Sequence, residues 1–239
     1  MDAASEAEVI RQEAARLGVD LSVEQAEKLS ALTDLLLSWS RRANLTAITD
    51  PEGVRVKHHL DSLTLCRWLP AGSSARLADV GSGAGFPGLP VAIARPMVEA
   101  VLVESVLRKV RFLEEAAVKL GLANVRVIRE RAEVLGHDPA WRERFDFVAI
   151  RAVGSLALSV ELCAPLAAVG GTVLVMKGPR LEEEWEAGRR LAERVGLGPL
   201  GTERVVLPGP IQRVIVVGHK VGPTPARYPR RPGLVGRVG

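Results

Sequence analysis

Apolar positions recur at helical spacing over the first seventy residues. Residues 3–17 carry a helix-period pattern closed by Gly18, and Ser22-Val-Glu-Gln25 reads as a capping box that opens a second helix. Leu29, Leu32, Leu36 and Trp39 fall on one face of that helix and predict a buried stripe. After a loop holding Asn44-Leu-Thr46, Asp50-Pro51 offers an N-cap and a first-turn proline for a third helix running to about Trp68. Pro70-Ala-Gly-Ser-Ser reads as a linker.

From Arg76 the texture changes to short β-type apolar runs alternating with helix-period segments. Residues 76–80, 100–104, 124–129, 145–150 and 172–176 predict strands, and their spacing implies crossover helices and a mostly parallel sheet. Gly170-Gly171 is expected to break the helix before the fifth run, and residues 181–195 to form the helix after it. Two closing runs, residues 204–207 and 213–217, are joined by Pro208-Gly-Pro-Ile-Gln, too short for a crossover, so they predict an antiparallel hairpin. The expected organisation is a helical extension over residues 1–70, an α/β domain of seven strands over 71–219 and a Pro/Gly-rich tail over 220–239.

Composition agrees with a globular α/β chain: 239 residues are 47% hydrophobic and 25% charged. No apolar run approaches the roughly 20 residues of a membrane span, and the acidic start differs from an export leader, so a cytoplasmic protein off the membrane is expected. Cys66 and Cys163 have no metal-ligand spacing and read as reduced core residues, so no metal is expected. Of the net charge of +4, the excess lies in the last twenty residues, which hold five basic and no acidic side chains. That tail is either an arm for phosphate backbones or a solvated terminus.

The chemistry concentrates at Asp79-Val-Gly-Ser-Gly-Ala-Gly-Phe-Pro-Gly88, where a predicted strand breaks into glycines. Gly81, Gly83, Gly85 and Gly88 allow positive φ and close approach to an adenosine-type ligand. The glycines also satisfy a dinucleotide fingerprint, so alone they leave nicotinamide, flavin and S-adenosylmethionine open. Asp79 tilts the choice, because a carboxylate there suits a cationic amino-acid tail and repels a pyrophosphate. Glu104, ending the second predicted strand, is placed to accept both ribose hydroxyls in either reading.

Arg151 follows the fourth strand at the carboxyl edge, where open α/β sheets bind ligands. The Asn/Asp-Pro-Pro-aromatic turn used to methylate exocyclic amines is missing after Ile150. Neither cysteine suits the thiolate chemistry of pyrimidine C5, and Lys177 lacks the companions that ribose methylation needs. Guanine N7 is a different acceptor, since its in-plane lone pair carries no proton and needs no general base. Arg151 then holds guanine O6 or a phosphate, or else pairs with Asp79 or Glu133. Ala132 and Glu133, within Arg129-Glu-Arg131-Ala-Glu133, lie where a loop covers an adenine ring. Phe86 packs on a methionine moiety or in the core. Lys57-His58-His59 with Asp61-Ser62 makes a lid, an RNA contact or a capped surface helix. Tyr228, in Arg227-Tyr-Pro-Arg-Arg231, stacks on an RNA base or packs back onto the sheet.

Together, Asn44-Leu-Thr46, Lys57-His58 with Asp61-Ser62, the 79–88 loop, Arg131-Ala-Glu133, Arg151-Ala152, Lys177-Gly178 and Tyr228-Pro-Arg-Arg231 resemble the bacterial glucose-inhibited division protein B family of small-subunit ribosomal RNA guanine-N7 methyltransferases. The resemblance implies a class I, Rossmann-like methyltransferase fold with an N-terminal helical extension. S-adenosylmethionine is the implied donor, leaving S-adenosylhomocysteine. A guanine of 16S ribosomal RNA, in the small subunit or an assembly intermediate, is the implied acceptor, with the protein a monomer. It further implies cofactor contacts from Asp79, Gly81, Gly83, Gly85, Phe86, Glu104, Ser105, Ala132, Glu133 and Arg151, with Arg151, His58 and Lys177 at the catalytic edge. Lys57, Tyr228, Arg230 and Arg231 are the expected RNA contacts. After Gly233 the chain departs from the lysine-rich finish of the family.

Overall fold

The computed structural model describes residues 3–179 and 181–236. Seven strands form one sheet in the order β3-β2-β1-β4-β5-β7-β6. They are β1 (Ala75–Val80), β2 (Val98–Val103), β3 (Val125–Ile128), β4 (Phe145–Arg151), β5 (Ala167–Lys177), β6 (Gly201–Leu207) and β7 (Ile211–His219). The pairs β2–β3, β1–β4 and β4–β5 are parallel, while β7 runs antiparallel to both β5 and β6. A dinucleotide-binding double repeat has six parallel strands in the order 3-2-1-4-5-6; here an antiparallel strand separates the fifth from the sixth. The chain divides into two compact units, Met1–Ser74 with Ser82–Arg129, and Ala75–Gly81 with Glu130–Gly239.

In the first unit the predicted helices form with their predicted caps. Helix α1 (Ala3–Arg16) closes before Gly18, whose φ is +78°. Helix α2 (Val23–Ala43) begins with the reciprocal Ser22–Gln25 capping box and ends on a left-handed Asn44. Leu29, Leu32 and Leu36 are fully buried, each contributing roughly 1.5–3 kcal/mol. Trp39 is half-buried and meets Phe112 edge-on. The third predicted helix is continuous but not uniform. Helix α3 (Pro51–Val54) passes into a π-helical turn at Arg55–Leu60, then α4 (Asp61–Leu63) and a 3-10 turn at Thr64–Arg67. Through that wider turn Arg55 bonds Glu6 and Glu13 of α1 at 2.8–3.0 Å, and both Arg55 and Glu6 are buried. The helices do not stand apart from the β-rich part of their unit. Gln25 Nε2 donates to Ile93 O and Ala94 O at the end of α5 (Gly88–Ala94), and Arg95 donates to Leu69 O. Helix α6 (Leu107–Lys119) links β2 to β3.

In the second unit α7 (Ala132–Leu135) is a single turn, α8 (Leu156–Cys163) joins β4 to β5, and α9 (Glu182–Arg194) follows β5. Two expectations need correction. Gly170-Gly171 does not break a helix; α8 has already ended at Cys163, and the pair lies inside β5, where the register with β4 shifts. A Cβ on Gly171 would sit 2.9 Å from the carbonyl oxygens of Phe145, Asp146 and Ala168, so this bulge needs a residue without a side chain. The hairpin connection is shorter than expected, because Leu207 already pairs with Ile211. Residues 220–236 pack on this unit: Lys220 N donates to Gly171 O and Val221 N to Gly196 O. Among the described residues no helix is long and apolar enough to cross a membrane, and no group of three or more His, Cys, Asp or Glu could hold a metal ion.

Candidate active site

The first unit carries the glycine corner and the acid that closes β2. Gly83 and Gly85 have φ of +60° and +88°. Ser82 N donates to Val103 O, which ties the corner to the end of β2. Glu104 is 6% exposed; Oε2 accepts from Gly83 N at 3.0 Å and Oε1 from Val106 N at 2.8 Å. An ionised carboxylate offers about four lone-pair sites, so two remain for a vicinal diol. Those free acceptors fit the two hydroxyl donors of an adenosine ribose. Lys109 Nζ, from the first turn of α6, lies 3.7 Å from Oε2 and adds positive charge. Ser105 is exposed just beyond Glu104, beside Val106 and Leu107, which are 40% and 39% exposed.

Phe86 is 3% exposed and sits between two histidines, stacked on His58 at 4.5 Å and edge-on to His59 at 5.7 Å. Its ring is thus packed within the unit. His58 also draws in the Asn44-Leu-Thr46 loop, since Nε2 lies 2.9 Å from Thr46 Oγ1. Its Nδ1 faces the Lys57 carbonyl at 3.1 Å, so Nδ1 carries the proton and Nε2 accepts from the threonine hydroxyl. The sequence cluster is thus one support beneath the glycine corner. Lys57 is exposed.

The second unit carries the remaining candidates. Asp79 is fully buried near the end of β1, and Gly81 (φ +68°) follows it. A Cβ on Gly81 would come within 3.0 Å of Val153 Cγ2, in the loop after β4. Arg151 is half-buried at the last position of β4, paired with Met176 of β5, and Ala152 beyond it has φ +57°. That loop is stitched in place. Lys177 Nζ donates to Gly154 O at 2.7 Å and to Glu184 Oε2 at 2.6 Å; Glu184 also accepts from Leu156 N, and Ser159 Oγ donates to Val153 O. Lys177 therefore anchors the loop that follows Arg151. Ala132 is buried and Glu133 half-buried at the start of α7.

The tail departs most from expectation. Tyr228 is 4% exposed, the packed-back alternative, and lies between the Arg227 and Arg230 guanidinium groups. Arg230 is bidentate to the fully buried Glu161 at 2.8 and 2.6 Å. Lys220 is buried as well, donating to Ala164 O, Thr224 Oγ1 and Glu143. Tyr228, Arg230 and Lys220 are thus spent internally, whereas Arg227 and Arg231 are exposed. Arg237 lies outside the described residues. The partners Glu143 and Glu161 stand far from the tail in sequence, so a charge count could not reveal them.

The sheet order, the glycine corner and the acid closing β2 define the fold of class I S-adenosylmethionine-dependent methyltransferases. S-adenosylmethionine is the methyl donor of that class. Solved structures agree at the level of fold: a SAM-dependent methyltransferase from Aquifex aeolicus (TM-score 0.52, 20% identity, covering 73% of this chain and 97% of that one) and a 16S rRNA (adenine(1408)-N(1))-methyltransferase mutant from Catenulisporales acidiphilia (TM-score 0.50, 18% identity, covering 66% and 88%). The sequence profile of the GidB family, rRNA small subunit methyltransferase G, matches residues 25–204. Relatives named ribosomal RNA small subunit methyltransferase G include those of Roseiflexus sp. strain RS-1, 45% identical over 92% of this chain and 94% of its own, and Pelotomaculum thermopropionicum, 43% identical over 95% and 96%. The chain belongs to the rRNA small subunit methyltransferase G family.

Proposed function

We propose that this protein moves the methyl group of S-adenosylmethionine to N7 of a guanine in 16S ribosomal RNA, as a cytoplasmic monomer acting on the small subunit or an assembly intermediate of it. When bound, the donor supplies an electrophilic methyl carbon. Glu104 binds its ribose hydroxyls, Asp79 meets the amino-acid tail, and Ala132 with Glu133 covers the adenine. Arg151 holds the guanine O6 or the neighbouring phosphate, leaving the N7 lone pair in line with the methyl group. No residue has to remove a proton, because N7 carries none.

The observation that carries this reading is the Glu104 carboxylate, buried yet with capacity left for a diol. The cysteines support it by elimination. Burial raises the Cys66 thiol to about 11 and, with Asp79 nearby, holds Cys163 well above its usual range, so neither supplies the thiolate that carbon methylation of a pyrimidine requires. The test is transfer of labelled methyl from the donor to undermethylated small subunits and to their RNA. N7-methylguanine is then located by strand scission with borohydride and aniline. Label at a scission-sensitive guanine is expected; donor binding without transfer, or label at a scission-resistant base, would defeat the proposal.

A further inference from the structure

Residues 224–236 are anchored beside the two loops of the second unit that carry candidate site residues, at the end of one, where α7 closes, and on α8, the helix that follows the other. One anchor is at α7. Pro229 packs on Gly136, where a Cβ would meet the proline ring at 2.8 Å, and His137 Nε2 donates to Pro229 O at 2.7 Å. Arg142 rivets the same place, donating to Gly136 O at the end of α7 and to Tyr228 O, Thr224 O and Pro225 O of the tail. The other anchor is at α8. Glu161, fully buried, accepts from Arg230 N, Nε and Nη2 and from Gly236 N. Gly236 is held so close that a Cβ there would meet Leu158 at 2.8 Å, and Leu158 on its other side closes on Gly154 of the loop after Arg151.

We infer that this segment is a positioning strap for the donor site: by fixing the 130–137 loop and the 152–155 loop together it sets donor affinity, and RNA binding is not its task. The inference rests on the proposed reading of Ala132, Glu133 and Arg151 as donor contacts. The strap residues act through α7 and Leu158, where an ångström of displacement at the contacts costs binding and rate. Tyr228 and Arg230 are turned to the protein, as a strap requires, while Arg227 and Arg231 of the same segment are exposed.

Two variants cut the strap at opposite ends in the full-length protein. E161Q removes the charge that holds Arg230, and His137→Ala removes one bond at an exposed residue without touching the core. Calorimetry with S-adenosylmethionine should show Kd raised about tenfold in each, with KM for RNA and its salt dependence unchanged. Hydrogen exchange should quicken in residues 130–137, and His137→Gln should restore part of the affinity. Unchanged donor affinity in both variants, or a raised KM for RNA with donor binding intact, would overturn the strap. E133A separates the two levels of inference. If it weakens donor binding while the strap variants do not, the strap alone fails; if it has no effect, the donor reading of that loop falls and the strap inference falls with it.

Discussion

Replacing Glu104 by glutamine changes one oxygen for an amide nitrogen at nearly constant volume. Both carboxylate oxygens already accept a backbone N–H, from Gly83 at 3.0 Å and from Val106 at 2.8 Å, in a site that is 6% exposed. The amide keeps one acceptor and turns two donor hydrogens toward the other N–H. Losing a hydrogen bond from a ribose hydroxyl to a charged acceptor costs roughly 1.5–3 kcal/mol, and the second hydroxyl meets a weaker, neutral acceptor. A total of roughly 2–3 kcal/mol corresponds to a Kd about 30- to 150-fold higher. Leaving a buried N–H without an acceptor costs the fold about 1–3 kcal/mol, a fall of about 2–10 °C in Tm for a chain of this size. Calorimetry with S-adenosylmethionine and a thermal melt measure both quantities on one sample. Binding of the donor to E104Q within about threefold of the parent would refute the assignment of this acid to the ribose, whatever the melt shows.

The thiols should resist alkylation in the folded protein: with Cys66 near 11 and Cys163 held well above its usual range by burial, iodoacetamide at pH 8 should leave both unmodified by mass spectrometry, and rapid native labelling would contradict the packing. Burial opposes ionisation of Glu143 and Glu161, yet the Thr224 N–H with Lys220 at the first, and Arg230 with the Gly236 N–H at the second, hold both carboxyls below the usual range. Folded values below the ordinary 4.5 mean that the stability these groups confer is present above that pH and lost as pH falls through the folded values. Melts between pH 6 and pH 3 should therefore show Tm falling from about 4.5 downward, with a shallower fall in E161Q. Gly171→Ala should cost about 2 kcal/mol or more in urea denaturation, because three carbonyl oxygens confront the new carbon. Gly170→Ala, with open space but φ +90°, should cost less, about 1 kcal/mol, and equal losses would contradict the bulge geometry.

What the sequence discloses is what is local. The Ser22–Gln25 box and the glycine corner each depend on residues within a few positions, so their chemistry is visible before any fold is known, whereas the bond from Gly83 to the acid after β2 spans 21 positions. The strand runs were found for the same reason, with ends shifted where pairing extends an element past its apolar residues, as in β5. The π-helical turn at Arg55–Leu60 was hidden because its payoff is an ion pair with Glu6, 49 positions away. Likewise Arg230 meets Glu161 across 69 residues and Lys220 meets Glu143 across 77, so a tail that looks like a loose basic arm turns out to be clamped. His58 shows the middle case: Thr46 and Phe86 were both marked, but only the fold stacks one ring on the other.

Among the described residues β6 is one edge of the sheet, and Thr202, Glu203 and Arg204 along it are exposed. An open rim of this kind invites another molecule to add its own strand and begin a fibril. Glu203 and Arg204 follow one another and so stand on opposite faces of that rim, where an added strand would meet a charge on either face. The hairpin that sets this fold apart from a dinucleotide binder therefore also carries charge to its open rim.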